Sequence, residues 1–286
     1  MADTELMFVS GKGGTGKSAV TAAIAIAAAR QGHTVLAVDM GTSLGLGAHL
    51  RHADLPYAPT ETRPGLWAMS MDRATALDEY IKLQLHMPLG APTKQFAGAL
   101  TVLADTAPGV REIISIGKPL YEVWKGVWDL VIVDGQSLGQ FQSYLRAPAT
   151  IAELVPTGNV RRQAQRLAST LEDPAITTIT LVTNPAELPV RETIETIAIL
   201  RSEDLCPPPD VIMNRFLEPS GMSLDDIDRM PDGSAREAAQ MQLAMEAGQE
   251  RWAREIDAPV SLPYLRGVLT PGEVAVQLAD ALGGRP

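Results

Sequence analysis

The sequence predicts an α/β fold in which a mostly parallel central sheet lies between two layers of helices and carries helical insertions. Three observations lead there. Short apolar runs of strand length alternate with helical patterns, as a parallel sheet with crossover helices requires. The first run leads straight into a glycine-rich loop and an alanine-rich helix. Four of the runs finish on a polar residue, Asp39, Asp134, Asn184 and Asn214, and ligands bind beyond the carboxyl ends of strands in such sheets.

The elements follow in order. Leu6-Met7-Phe8-Val9 reads as a buried strand, and Ala19 to Arg30, rich in alanine and isoleucine, as a packed helix. Gly32-His33 turns the chain into TVLAVDM, a strand ending in Asp39, and LWAMSM (66–71) is the next strand. Residues 72–126 form the first helical insertion, with Leu77, Tyr80, Ile81 and Gln84-Leu85 on one face, then Phe96, Leu100 and Leu103, then Ile113, Ile114 and Ile116. WDLVIVD (128–134), ITTITLVTN (176–184) and DVIMN (210–214) resume the strands. Residues 222–256 form a second helical insertion, whose longer helix is expected to begin at the capping box Ser234-x-x-Glu237. Its stripe of Met241, Met245, Gly248, Trp252 and Ile256 is expected to pack in the core, with a client-binding surface as the alternative. PVSLP (259–263) is the last strand, and Thr270-Pro271-x-Glu273 opens the last helix with a cap, a first-turn proline and a third-position glutamate. The expected organisation is a single domain over residues 1–286.

Composition narrows the function. A net charge of −10 argues against binding nucleic acid or an anionic membrane by bulk electrostatics. With Cys206 as the single cysteine, one chain can build neither a disulfide framework nor a paired-thiol zinc site nor a cysteine-held iron–sulfur cluster. The four histidines, at 33, 49, 52 and 86, have no metal-ligand spacing. MADTELMFVS has no signal-peptide character, and no stretch offers the roughly eighteen apolar residues of a membrane span, so a cytoplasmic protein without an integral membrane segment is expected.

The chemistry concentrates in VSGKGGTGKS. Gly11-x-x-x-x-Gly16-Lys17-Ser18 between a strand and a helix satisfies the phosphate-loop pattern and specifies the three-layer P-loop NTPase fold. Gly11, Gly13, Gly14 and Gly16 let backbone N–H groups and the positive end of the helix face phosphates. Lys17 would reach the β and γ phosphates and the Ser18 hydroxyl would bind magnesium, with Thr15 and Ala19 completing the candidate nucleotide-binding loop. Leu130-Val131-Ile132-Val133-Asp134 has the Walker B form, so Asp134 would hold magnesium through water. Asp39 is left to orient or deprotonate the attacking water. The implied cofactors are ATP and Mg2+. Lys12 is a second lysine that the basic pattern does not require.

GKGGTGKS resembles the deviant phosphate loop of the ATPases typified by the arsenical-pump ATPase ArsA, the tail-anchored-protein targeting ATPase, and the positioning ATPases MinD and ParA. The resemblance implies that Lys12 crosses a nucleotide-sandwiched dimer interface to contact the partner's nucleotide, delivering charge to the transferring phosphate only when two subunits close. The arsenical-pump branch is favoured by longer matches. VDMGTSLGLGAHL is similar to its first switch, DTAPGVREIISIGKPLYEVWKGVWDLVIVDG to the segment entering its second switch, and LVTNPAELPVRETIETIAIL to its later strand–helix unit. IMNRF and SLPYLRG are similar to its base-binding motifs, which implies that Asn214 reads the adenine and that Pro263 and Tyr264 flank it. The second switch departs from the family's Asp-Thr-Ala-Pro-Thr-Gly-His. Here it reads Asp134-Gly-Gln-Ser-Leu-Gly139-Gln140, with aspartate, the later glycine and Pro148 kept in spacing.

The expectation is a magnesium-dependent ATPase, slow if the altered switch limits it, whose nucleotide-driven closure of a homodimer, or of a heterodimer with a related subunit, handles a protein or other client. Arsenite extrusion by cysteine thiolates cannot be assembled from Cys206 alone. Two alternatives remain: a MinD- or ParA-like positioning ATPase, and a nucleotide-binding scaffold with little or no turnover. The first calls for a C-terminal amphipathic membrane helix or a basic DNA face, and VAVQLADALGGRP carries no lysine.

Overall fold

A computed structural model of the chain describes residues 5–41, 45–50, 54–85 and 109–283, with residues 80–85 described by their backbone alone. The strands are Glu5–Gly11 (β1), Val35–Asp39 (β2), Thr60–Arg63 (β3), Leu66–Ser70 (β4), Leu130–Ser137 (β5), Thr177–Thr183 (β6), Asp210–Phe216 (β7) and Val260–Pro263 (β8). Among the described residues they form one eight-stranded sheet in the order β3-β4-β2-β5-β1-β6-β7-β8. Every ladder is parallel except that of β3 with β4.

The seven apolar runs are all strands, and β3 is the one the sequence did not announce. Its four residues, Thr-Glu-Thr-Arg, stay partly exposed at the sheet edge, so no apolar alternation marks them. β5 also runs past Asp134 to Ser137, because its ladder with β1 continues to the Gly11–Ser137 pair after the apolar pattern has stopped.

The helices are Lys17–Arg30 (α1), Gly45–His49 (α2), Arg73–Leu85 (α3), Val110–Trp124 (α4), Leu138–Leu154 (α5), Asn159–Glu172 (α6), Glu187–Glu203 (α7), Leu224–Asp228 (α8), Ser234–Ala253 (α9) and Pro271–Gly283 (α10). Successive strand side chains alternate between two cores. Leu6, Phe8, Leu36, Val38, Val131 and Val133 join residues of α4, α5, α6 and α7. Val9, Val35, Ala37 and Ile132 join α1, α2 and α10 on the other face. Alanine at 19, 22, 23 and 25, all buried, lets α1 lie close to the sheet and to α10 at once. Ala275, Leu278 and Ala279 of α10 are buried in the same core, and burial of a leucine such as Leu278 stabilises by about 2 kcal/mol. That face is not available for a membrane surface. The cap expected at α10 is present, with Glu273 N–H donating to Thr270 Oγ1 at 3.3 Å and Thr270 N–H to Glu273 Oε2 at 2.8 Å.

Within 72–126 the described elements are α3 and α4; Phe96, Leu100 and Leu103 lie outside the described residues. The two helices are joined by ions. Lys118, almost fully buried, contacts Glu79 at 2.9 Å and Glu122 at 3.0 Å, and Glu122 also accepts from Lys125 at 2.8 Å and Trp128 at 3.2 Å.

Within 222–256 two expectations are corrected. The Gly233 carbonyl already accepts from Glu237 N–H, so α9 begins one residue before Ser234 could cap it, with no side-chain cap. The capping box belongs instead to α8, between Ser223 and Asp226. The Met stripe does not pack as one face: Met241 is 66% and Met245 46% exposed, while Trp252 and Ile256 pack against Val190, Val211 and Met213. Helix α9 buries Gln249 and Glu246 instead, because they pair with otherwise unsatisfied backbone. Gln249 exchanges hydrogen bonds of 2.8 and 2.6 Å with Leu217, and Glu246 accepts from Ser220 N–H at 2.9 Å.

Candidate active site

The phosphate loop is shaped by close approaches that only glycine permits. A Cβ on Gly11 would lie 2.2 Å from the Val182 carbonyl oxygen, and one on Gly16, which has φ of +91°, would lie 2.4 Å from Asn214 Nδ2. Between them the chain folds back on the Lys12 carbonyl. That oxygen accepts from Thr15 N–H at 3.3 Å, Thr15 Oγ1 at 2.9 Å and Lys17 Nζ at 3.2 Å. Helix α1 then starts from Gly16 with no side-chain cap, which leaves its first N–H groups directed at the loop. An uncapped helix N-terminus of this kind favours an anion by both its free donors and its dipole.

Beside the loop stand the two carboxylates. Asp39 ends β2 and Asp134 is its register partner within the last half of β5, and both are buried. Asp134 accepts from Thr21 Oγ1 at 3.3 Å and from the Ser18 hydroxyl. Burial pushes its carboxyl up to about 7, the charge of Asp39 adds to the rise, and Ser18, Lys17 and Thr21 oppose it. The Asp39 carboxyl is also raised by burial, against hydrogen bonds from Gly41 N–H, at 2.7 Å, and Leu46 N–H. Burial lowers Lys17, with Asp134 acting against it.

A magnesium ion fits the residues present. A Cβ on Gly45 would lie 2.9 Å from Ser18 Oγ and 3.9 Å from Asp134 Oδ2, so that glycine keeps open the space which the hydroxyl and carboxylate share. The donors are hard oxygens, and among the described residues no group of three His, Cys, Asp or Glu could cage a metal. Magnesium suits such a site because it retains water and substrate phosphate oxygens as ligands.

The base-side candidates lie at the ends of β7 and β8. Asn214 is buried, and its Nδ2 donates to the Thr15 carbonyl at 2.8 Å, which braces the loop from below. The Asn184 amide, oriented to satisfy its partners, donates to the same carbonyl and to Thr183 O, both at 3.2 Å. Pro263 ends β8, and Tyr264 N–H donates to Phe216 O at 2.8 Å while its ring is half exposed. Between Met213 and Phe216 the β7–β8 register shifts, and Arg215 there has φ of +58°.

Three features escaped the sequence. Thr21 reads as an ordinary helix residue until the sheet places Asp134 over it. Gln136, conspicuous only as a departure from the switch pattern, donates to the Met40 carbonyl, while Ser10 Oγ donates to the Gln136 carbonyl at 2.8 Å. Gln136 thereby ties β5 to β1 and to the residue that follows β2. Lys12 extends away from its own loop, and its ammonium pairs with Glu192 of α7.

The sequence profile of the anion-transporting ATPase family matches residues 4–162, more than half of the chain, including the glycine loop after β1 and the strands β2 and β5. The chain belongs to that family. Membership assigns it ATP binding and hydrolysis as a general activity. It is similar to ATPase BagA of Mycobacterium tuberculosis and to a Mycobacterium bovis protein that carries the name of an ATPase, each 29% identical over 244 residues, 82% of this chain and 71% of theirs. A Prosthecochloris vibrioformis protein that carries the name of an arsenical pump-driving ATPase is 25% identical over 150 residues, 51% of this chain and 36% of its own. No helix among the described residues is long and apolar enough to cross a membrane.

Proposed function

We propose that this family member is a magnesium-dependent ATPase whose ATP-driven pairing of two subunits, alike or related, brings Lys12 to the partner's nucleotide and reshapes client-binding helices. The observation that carries the reading is the convergence of Lys17, Ser18, Asp39 and Asp134 at the mouth of one uncapped helix. In this reading the loop N–H groups and Lys17 bind the β and γ phosphates. Ser18 would hold magnesium directly and Asp134 through water, and the charge it would supply there offsets that of the phosphates. Asp39, whose carboxyl is raised by burial and so is a stronger base than a solvated aspartate, orients the attacking water and accepts its proton. Asn214, Pro263 and Tyr264 form the adenine side, with Asn214 bracing Thr15 at the same time. The exposed Met241 and Met245 on α9 make that helix the stronger candidate for a client surface.

Arsenite handling by thiolate does not fit Cys206, which is buried and has its thiol pushed up to about 11 by that burial. A second reading, a scaffold that binds nucleotide with little turnover, draws support from the Gln136 tie between the switches. ATP turnover by the purified chain with magnesium, and its loss in EDTA, decides between them. Tight nucleotide binding with no phosphate release favours the scaffold.

A further inference from the structure

The contact between Lys12 and Glu192 joins residues 180 positions apart, and both side chains are only partly exposed, at 28% and 35%. The Lys12 backbone cannot swing freely, because its carbonyl is held by Thr15 and Lys17. Only its side chain can choose a partner. Glu192 is equally well fixed: the flanking Val190 and Thr193 are buried, so the second turn of α7 presents Glu192 to the loop. Its neighbour Arg191 pairs with Glu187 at 3.0 Å and lies 5.7 Å from the Trp252 ring of α9. Helix α7 is therefore in contact with the phosphate loop through one residue and with the second helical insertion through the next.

We propose that Glu192 is a positioning residue for Lys12, holding its ammonium within the same subunit until the phosphates of a second subunit's nucleotide replace the carboxylate. The proposal rests on the reading that Lys12 acts in trans. An ammonium paired with Glu192 cannot also meet a phosphate across an interface, so pairing of subunits must exchange one anionic partner for the other. The exchange is cheap, since partly exposed ion pairs are weak, and so the contact sets a threshold rather than a block.

The test uses the full chain. In the nucleotide-free protein, Glu192→Gln should raise the rate at which Lys12 is acylated by an amine-reactive ester about two- to five-fold, the range open to a partly exposed pair, with other lysines unchanged. With a non-hydrolysable ATP analogue and light scattering, the same variant should lower the nucleotide concentration for half-maximal pairing by a similar factor, and Glu192→Asp should restore part of it. In the Lys12→Ala background Glu192→Gln should have no effect on pairing. Unchanged acylation, or pairing that weakens when Glu192 is neutralised, overturns the proposal. If instead Lys12→Ala leaves pairing untouched, the trans reading itself falls, an outcome that the acylation measurement cannot mimic.

Discussion

Asp39 and Asp134 sit side by side as register partners on β2 and β5, two buried carboxylates at the mouth of one loop with Lys17 as the nearby cation. Burial raises both carboxyls and the neighbouring like charge adds to the rise, so one of them holds its proton more tightly until further positive charge arrives. In this chain that one is Asp134, pushed up to about 7.

The first prediction is a pH linkage at Asp134. An unfolded aspartate titrates near 3.8, so between that value and about 7 the folded chain keeps a proton that the unfolded chain has lost. This group's contribution to stability is therefore greatest at low pH and declines as pH rises toward 7. Asp134→Asn, which cannot ionise, should gain Tm relative to the wild type over the same interval. Magnesium nucleotide favours the charged form, so its binding at pH 6.5 should release a proton. Calorimetry in two buffers of different ionisation enthalpy measures it, and no release would mean that Asp134 is already ionised.

Lys17→Ala should lose ATP binding by at least ~100-fold, since charge-assisted contacts to phosphate contribute several kcal/mol in a site of this kind. The fold should tolerate the change, because Lys17 is held there against a desolvation cost. Titration calorimetry with unchanged affinity would remove the phosphate-loop assignment.

Asp39→Asn should bind ATP with little change and hydrolyse it at least ~100-fold more slowly, the scale of a lost general base. The asparagine can still accept from Gly41 N–H, which preserves the turn after β2. Turnover that survives the substitution would assign water activation to another group.

The parts of the molecule that obey a local rule were legible in the sequence. Seven strands announced themselves as apolar runs, and the loop glycines and Asp39 and Asp134 followed from strand ends. What stayed hidden depends on contacts between distant segments or on edges where patterning is weak. β3 lacks apolar alternation because one side of it is open, and Ser234 resembles a cap although the Gly233 carbonyl has already started the helix. Met241 and Met245 share a helical stripe with Trp252, yet only the last part of the stripe meets α7 and β7. Glu192 carried no signal, since its partner lies 180 residues away.

The ionic link between α3 and α4 predicts a stability effect remote from the loop. Lys118→Met should destabilise by about 2 kcal/mol, the scale of charge-assisted hydrogen bonds, because Glu79 loses its ammonium partner and the buried Glu122 keeps only Lys125 and Trp128. Adding Glu79→Gln should recover part of the loss. Urea denaturation of the single and double variants measures both, and additive effects would show that the pair does not interact.

The last prediction concerns which subunit's nucleotide Lys12 serves. Its ammonium points to Glu192 while Lys17 Nζ stays at the loop, bonded to the Lys12 carbonyl, so the two lysines face different places. If Lys12 acts in trans, Lys12→Ala should leave nucleotide binding to one subunit nearly intact and weaken ATP-dependent pairing and hydrolysis. Mixing the Lys12→Ala chain with the Asp39→Asn chain then separates trans from cis. In trans, the site on the Lys12→Ala subunit has its own Asp39 and borrows Lys12 from the partner, so it is complete, while the other site lacks both. Each mixed dimer thus regains one working site, and activity should return toward half of that of the wild-type dimer. In cis, one site lacks Lys12 and the other lacks Asp39, and mixing restores nothing. Light scattering establishes that mixed dimers form, and phosphate release from them, or its absence, decides where Lys12 acts.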